Sequence, residues 1–325
     1  MIFTSSCCDN LSIDEIIERA EQGDSEAQYI VGFYYNRDSA IDSPDDEKAF
    51  YWLKLAAEQG HCEAQYSLGQ KYTEDKSRHK DNEQAIFWLK KAALQVHTFA
   101  TTALVSTLDP GVAPNYKEAV VCYQIAAESG MSYAQNNLGW MYRNGNGVAK
   151  DYALAFFWYK QAALQGHSDA QNNLADLYED GKGVAQNKTL AAFWYLKSAQ
   201  QGNRHAQFQI AWDYNAGEGV DQDYKQAMYW YLKAAAQGSV GAYVNIGYMY
   251  KHGQGVEKDY QAAFEWFTKA AECNDATAWY NLAIMYHYGE GRPVDLRQAL
   301  DLYRKVQSSG TRDVSQEIRE TEDLL

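Results

Sequence analysis

The sequence predicts an all-α protein built from about eight stacked helix-turn-helix repeats, and three observations support this. Alanines recur every 34 to 37 residues, at positions 27, 64, 100, 134, 170, 206, 242 and 278. A second alanine series follows 19 to 22 residues behind the first, at 49, 85, 119, 155, 191, 227, 263 and 299. All four prolines lie between an alanine of the first series and the next alanine of the second. Such a period is typical of units that bury their apolar faces against neighbouring units.

The second alanine of each repeat lies in a helix that we term helix B. Ala227, Trp230, Tyr231, Ala234 and Ala235 are spaced i, i+3, i+4, i+7 and i+8, which predicts one buried helix face. The Trp slot is therefore expected to be core, as is Cys122, which occupies it in repeat three. Its tryptophans are Trp52, Trp88, Trp158, Trp194, Trp230 and Trp266. A glycine usually follows helix B and is expected to close its last turn in the left-handed conformation.

The first alanine lies in helix A, in which Ala134, Leu138, Met141 and Tyr142 predict the buried face of repeat four. A glycine or alanine usually follows the Leu slot, and we expect it to allow close approach of a neighbouring helix. Short loops such as Gly145-Asn146-Gly147-Val148 join A to B. Aspartates near the start of helix B are expected to stabilise its N-terminus.

The repeats divide the chain into four segments, with no domain break expected inside the repeat array. Residues 1–11 are expected to be unstructured, 12–23 to form an N-terminal capping helix, 24–310 to hold eight repeats and 311–325 to form an acidic capping helix. Ser12 and Glu15 predict a capping box at the first helix. Val314 and Ile318 take the Ala and Leu slots of a ninth helix A.

Ala134 to Val148 and Asp151 to Gly166 resemble the Sel1-like repeat, a relative of the tetratricopeptide repeats. Their pattern is A-Q-x-x-L-G-x-x-Y-x-x-G-x-G-V followed by D-Y-x-x-A-x-x-W-Y-x-x-A-A-x-x-G. The resemblance implies a right-handed α-solenoid that acts as an adaptor or scaffold. Repeats one to three depart from the pattern because they lack the paired loop glycines.

The composition argues against nucleic-acid and membrane binding. The formal net charge is −14, whereas a phosphate backbone is bound through clustered Lys and Arg. No apolar run approaches the ~18 residues of a membrane span, and the first ten residues do not resemble a secretion signal. We therefore expect a cytoplasmic protein, as a monomer or weak homo-oligomer.

No motif predicts a catalytic residue, a cofactor or a metal ion. The G-x-G loops lack the Lys-Ser/Thr of a phosphate-binding loop and are interpreted as turns. His61, His97 and His167 share one repeat slot and are interpreted as solvated loop residues. Ser77 and Lys80 form an S-x-x-K, but neither S-D-N nor K-T-G follows it, so chance explains the match.

The remaining signal is the outward face of helix A, termed the A face, which lines the concave groove in the tetratricopeptide relatives. An asparagine recurs three residues after the first alanine, and an aromatic residue recurs six residues after it. Amides can pair with a peptide backbone, and aromatics anchor partners, although both residue types can also pack within the fold. The candidate residues are Tyr133, Asn136, Asn137, Trp140, Arg143, Asn172, Asn173, Asp176, Glu179, Phe208, Trp212, Asn245, Tyr248 and Asn281.

The sequence therefore predicts a non-enzymatic protein that binds a peptide or protein segment on the A face. The segment is expected to carry apolar anchors and a basic residue facing Asp176 and Glu179. Two alternatives stay open. One is a hydrolase of the penicillin-recognising, β-lactamase-like type, and the other is an oligomerising regulator or chaperone-associated factor.

Overall fold

The computed structural model describes residues 11–36, 45–73, 79–95, 100, 103 and 116–325, and these form two compact units. The first unit, Met1–Asp151, contains seven helices within the described residues. They are α1 (Ile13–Glu21), α2 (Ser25–Asn36), α3 (Asp46–Glu58), α4 (Cys62–Thr73), α5 (Asn82–Leu94), α6 (Tyr116–Glu128) and α7 (Ser132–Asn144).

The second unit, Tyr152–Leu325, is described throughout and consists of ten helices. They are α8 (Tyr152–Leu164), α9 (Ser168–Asp180), α10 (Lys188–Gln200), α11 (Arg204–Ala216), α12 (Tyr224–Ala236), α13 (Val240–His252), α14 (Tyr260–Glu272), α15 (Ala276–Tyr288), α16 (Leu296–Ser309) and α17 (Ser315–Asp323). Within the second unit each helix packs against the next along the chain, and the described residues of both units contain no strand. The predicted class, an all-α stack of helical hairpins, is confirmed.

The alanine series are the innermost residues of both units. Ala170, Ala206, Ala227 and Ala263 are fully buried, because each lies where two helices approach closely. Where the Leu slot is followed by glycine, the approach is closer still. A Cβ on Gly247 would lie 2.7 Å from the Phe267 ring, so this glycine is required by packing. The expected role of the small residue is confirmed.

Helix ends follow the sequence signals. Asp45, Asp223, Asp259 and Asp295 each accept a hydrogen bond from a backbone N–H in the first turn of a helix B, as N-caps do. Glycines after helix B have positive φ, from +68° at Gly310 to +95° at Gly130, which confirms the left-handed turn. Repeat seven uses Asn274 instead, with φ +61°.

The loop glycines are also explained by packing. A Cβ on Gly183 would lie 2.1 Å from the carbonyl oxygen of Tyr152, at the start of helix α8. The second glycine of the loop therefore lets the loop backbone lie against the start of the preceding helix B.

Both terminal helices are present. Ser12 Oγ accepts a hydrogen bond from the Glu15 N–H, and the Glu15 carboxylate accepts one from the Ser12 N–H at 2.7 Å, so the capping box is formed. Val314 is fully buried and packs with Ile318 against Tyr303, although Val314 is the N-cap of α17 and not a helical residue.

A glutamine ladder, not recognised in the sequence, joins neighbouring repeats. Gln207 Nε2 donates to the Ala199 carbonyl at 3.2 Å, and Gln207 Oε1 accepts from Gln237 Nε2 at 2.8 Å. Equivalent bonds surround Gln28, Gln65 and Gln171. The second residue of the A-Q motif is therefore a buried inter-repeat link.

Candidate functional site

In the first unit, the candidate A face is one side of α7. Tyr133 and Trp140 are exposed, Asn137 and Arg143 are half-buried, and Asn136 is buried. Trp140 retains 44% of its accessible surface, which is unusual for so large an apolar side chain.

In the second unit, the A face begins on α9. Asn172 is buried, and its Oδ1 lies 3.1 Å from His205 Nδ1 on α11, while Asn173 and Glu179 are half-buried. Asp176 accepts a hydrogen bond from the Tyr195 hydroxyl at 2.8 Å. Asn172 and Asp176 of α9 therefore already make contacts within the fold.

The asparagine slot differs between repeats. Asn281 is almost fully buried, and its Nδ2 donates to the Tyr248 hydroxyl at 3.0 Å and to the Thr277 carbonyl at 2.7 Å. Asn245, in the same slot on α13, is half-buried. For Asn281 the amide therefore joins neighbouring A helices, which is the structural alternative that the sequence left open.

The aromatic candidates of α11 occupy two environments. Phe208 packs within the fold, with its ring centroid 5.7 Å from that of Tyr231 and its edge against Gly241. Trp212 is 46% exposed. Trp140 and Trp212 are the two exposed tryptophans among the nine of the chain, and both stand six residues after the first alanine of their repeat.

Sequence reasoning missed Asp213, which follows Trp212. Leu177, Met249 and Met285 fill the equivalent slot in other repeats and are buried, and Asp213 is equally buried at 4% exposure. Burial, followed by the charges of Glu179 and Glu218, raises the pKa of Asp213 to about 8. The sequence alone could have pointed to Asp213, because it is a carboxylate at a helix A slot that is apolar in other repeats.

Three charged side chains lie close to Asp213. Lys188, the first residue of α10, forms an ion pair with Glu218 in the loop after α11, and both side chains are more than one third exposed. Glu179 on α9 is half-buried, and its burial raises its pKa, with the Lys188 charge opposing that shift. Carboxylates therefore outnumber the single cation.

The interpretation of His61 and His167 as solvated loop residues was wrong. His61 and His167 are half-buried, and each accepts a hydrogen bond at Nδ1 from a backbone N–H in the first turn of a helix A. His61 Nε2 also lies 2.9 Å from the Glu26 carboxylate. Burial lowers the pKa of His167. Histidine therefore caps a helix here, as Asn203 and Asp275 do in later repeats, while His97 lies outside the described residues.

Other predictions have mixed outcomes. Cys122 is fully buried, as expected, and in the Trp slot Trp88 and Trp230 are buried while the other four tryptophans are half-buried. Ser77 of the S-x-x-K lies outside the described residues. Among the described residues, no helix is long and apolar enough to cross a membrane, and no three His, Cys, Asp or Glu side chains are grouped to hold a metal ion.

A family model described as Sel1 repeat matches eight times, at residues 25–61, 62–97, 107–131, 132–167, 168–203, 204–239, 240–275 and 276–305. Over 146 residues the chain is 97% identical to the Sel1-repeat-containing protein YbeQ of Escherichia coli (strain K12), covering 45% of each chain. The match thus spans less than half of this curated relative.

Two crystal structures share the fold. The first is c5321, a protective antigen present in uropathogenic Escherichia coli strains, with 34% identity and a TM-score of 0.70 over 93% of this chain and 65% of that chain. The second is a Sel1 repeat protein from Oxalobacter formigenes, with 29% identity and a TM-score of 0.67 over 95% of this chain and 89% of that chain. Sel1 repeats are generally protein-interaction modules. The chain belongs to the Sel1-repeat family.

Proposed function

We propose that this protein is a non-enzymatic adaptor or scaffold that binds a peptide or protein segment on its A face. The observation that carries the proposal is the exposure of Trp140 and Trp212, one in each unit, while the tryptophans of helix B are buried or half-buried. Exposed aromatic side chains on a rigid helix are typical anchors for a partner. The surrounding A helices are held in place by bonds such as Asn281 to Tyr248.

The bound segment inserts an apolar side chain against Trp212 and pairs its backbone with polar groups of the A helices. Asn245 is half-buried and presents its amide at this face. Asn172 and Asn281 position the helices, since their amides are bonded within the fold.

The test compares Trp212→Ala with a matched control, Tyr229→Ala. Tyr229 is 48% exposed, close to the 46% of Trp212, but it lies on helix B. Proteins captured from a lysate of the source cells by the wild type and both variants are identified by mass spectrometry, and each identified partner is then titrated in purified form. We expect at least tenfold weaker binding for Trp212→Ala, wild-type binding for Tyr229→Ala, and unchanged helical circular dichroism for both. Equal binding by all three proteins would refute the A face as the binding surface.

A further inference from the structure

Asp213 is a buried carboxylate at a slot that the scaffold can fill with an apolar side chain. The equivalent residues Leu177, Met249 and Met285 are as deeply buried and contribute to the core. Leucine at this slot is therefore compatible with the fold, and aspartate is not needed to build the helix. Burying a carboxylate costs free energy unless a partner compensates for it.

That compensation is incomplete within the described residues. Asp213 Oδ2 is buried and has no hydrogen-bond partner among the described residues, and the same holds for the Tyr231 hydroxyl on α12. The two groups are close enough for the charge of Asp213 to raise the pKa of Tyr231 further, after burial. In repeat five the equivalent tyrosine, Tyr195, donates to Asp176, but Trp212 stands at the Asp176 slot in repeat six and offers no acceptor.

The surroundings of Asp213 are acidic and reach the surface. Glu179 is half-buried, and Glu218 is 39% exposed at its side chain. Lys188 is the cation whose charge acts on Asp213, and it is ion-paired with Glu218. Asp213 is thus a buried carboxylate under the charge of two carboxylates that are nearer the surface, Glu179 and Glu218, here termed the rim carboxylates, and of Lys188, which is already ion-paired with Glu218.

We propose that Asp213, with Glu179 and Glu218, binds the ammonium or guanidinium group of a lysine or arginine side chain of the partner. Such a group carries several N–H donors, so it can satisfy Asp213 Oδ2 and a rim carboxylate together. The Tyr231 hydroxyl can donate to the same carboxylate once Asp213 is ionised. This proposal rests on the proposed function, because the ligand is part of the segment that binds on the A face. It adds that this segment carries a lysine or arginine next to the residue that contacts Trp212.

Binding at this site is coupled to proton release. Asp213, with its pKa of about 8, is mostly protonated at pH 7 in the free protein, and a bound cation favours its ionised form. The groups facing Asp213 are Glu179 on α9, Lys188 on α10, Glu218 in the loop after α11 and Tyr231 on α12. Affinity for a cation therefore increases as the pH rises from 6 towards 8.

The test uses small probes in place of the unknown partner. Nα-acetyl-lysine amide and Nα-acetyl-arginine amide are titrated into the full chain at constant ionic strength, with neutral Nα-acetyl-norleucine amide as the matched control. Carbon NMR follows the Asp213 carboxyl, and proton–nitrogen NMR follows the Trp212 indole N–H. We expect saturable shifts with millimolar dissociation constants for both cations, none for norleucine, and a fall in the Asp213 pKa on saturation.

Three variants sharpen the test. Asp213→Asn keeps the shape of the side chain and is expected to weaken cation binding at least tenfold, and Asp213→Leu, which copies Leu177, is expected to abolish it. Lys188→Met is expected to strengthen binding, because it removes the competing cation. The opposite result, weaker binding to Lys188→Met, would overturn the proposal.

Other outcomes also overturn it. An Asp213 pKa near 4 in the free protein would mean that Lys188 already neutralises the carboxylate in solution. Shifts that are equal for norleucine amide, or saturable at lower concentrations of calcium chloride, would assign the site to another ligand. The probes need no partner, so the two tests are independent. If the probes do not bind Asp213, the Trp212→Ala experiment still tests the proposed function. If Trp212→Ala does not weaken partner binding, the probe titrations still test the Asp213 site.

Discussion

Repeats two and six place opposite charges at the same slot of helix A. In repeat two, Lys71 is 3% exposed and its ammonium lies 2.5 Å from the carboxylate of Asp46, the first residue of the preceding helix B. In repeat six, Asp213 takes the Lys71 position and Lys188 takes the Asp46 position. Repeat six thus has the acidic residue on helix A and the basic residue on helix B, the reverse of repeat two, at the same two positions of the repeat.

The two repeats differ in whether the buried charge is satisfied. Asp46 is available to Lys71, whereas Lys188 is held by Glu218, and Asp213 Oδ2 has no partner among the described residues. The two repeats thus differ at a loop residue, because Glu218 forms an ion pair with Lys188 in repeat six. The same scaffold position therefore holds an ion-paired cation in one repeat and a carboxylate with an unpartnered oxygen among the described residues in the other, which is the carboxylate that we propose for recognition.

The largest expected effect is that of Asp213→Leu in repeat six. The folded-state pKa of Asp213 is about 8, and an aspartate in an unfolded chain ionises near ~4. The folded form therefore retains a proton that the unfolded form releases between those values, so stability decreases as the pH rises through this window, at most by ~1.4 kcal/mol per pH unit.

Asp213→Leu removes both this dependence and the buried unpaired oxygen. We expect the free energy of unfolding to rise by about 5 kcal/mol at pH 8 and by less at pH 5. Urea denaturation of both proteins at the two pH values measures the effect. A wild-type stability that is independent of pH between 5 and 8 would contradict a raised pKa at Asp213.

The second effect is expected in repeat two. Asp46→Asn leaves the Lys71 ammonium buried without a carboxylate, which we expect to destabilise α3 and α4 by about 2 kcal/mol. The half-exposed position of Asp46 keeps this below the cost for a fully buried pair. Hydrogen exchange of the α3 and α4 amides measures the local opening.

The matched control for this prediction is the double variant Asp46→Asn with Lys71→Met, which installs the residue type of repeats seven and eight. It is expected to regain the stability lost by Asp46→Asn. A double variant no more stable than the single one would show that Lys71 contributes through packing alone.

The sequence predicted the parts of this architecture that depend on local chemistry and periodicity. The alanine series, the Asp N-caps at Asp223 and Asp259 and the positive φ of Gly202 each follow from a residue type at a fixed offset. The pairing of Lys188 with Glu218, 30 residues apart, depends on which of several charges approach in three dimensions. The pattern predicted the A face and contains Asp213 at an apolar slot, whereas the lack of a hydrogen-bond partner for Asp213 Oδ2 among the described residues required the structure.

The same limit explains the errors. His61 stands just after a glycine, which favours a loop interpretation, but its ring accepts a hydrogen bond from Ala64 N–H at 3.2 Å. Histidine is not among the usual N-cap residues, so sequence rules did not identify this role. Asn281 and Asn245 are indistinguishable by slot, and the bonds of the Asn281 amide to the Tyr248 hydroxyl and the Thr277 carbonyl were found in the structure.

A smaller effect converts repeat six towards the arrangement of repeat two. Glu218→Gln removes the ion pair that engages Lys188 and also removes a negative charge that raises the pKa of Asp213. Both changes act in the same direction, so we expect the Asp213 pKa to fall by about one unit. Carbon NMR of the Asp213 carboxyl measures it, with Glu272→Gln as a control at an exposed glutamate on α14. An unchanged Asp213 pKa would mean that neither the charge of Glu218 nor its ion pair with Lys188 affects the protonation of Asp213.

The smallest expected difference concerns the glutamine ladder, which the two repeats share. Gln65 donates to the Ala57 carbonyl at 3.1 Å and accepts from Gln95 at 2.8 Å, and Gln207 donates to the Ala199 carbonyl at 3.2 Å and accepts from Gln237 at 2.8 Å. Replacement by leucine removes the same two bonds and leaves the same carbonyl without its donor in either repeat.

We therefore expect Gln65→Leu and Gln207→Leu to cost similar amounts, about 1–2 kcal/mol each. Hydrogen exchange of the α4 amides for the first variant and of the α11 amides for the second measures the two costs separately. Costs that agree within ~0.5 kcal/mol would show that the backbone scaffold is equally stabilised in both repeats. The contrast between Lys71 and Asp213 would then belong to the charged slot alone. Unequal costs would mean that the packing around Gln207 in repeat six differs from the packing around Gln65 in repeat two. Part of the difference between Lys71 and Asp213 would then arise from the scaffold and not from the charges.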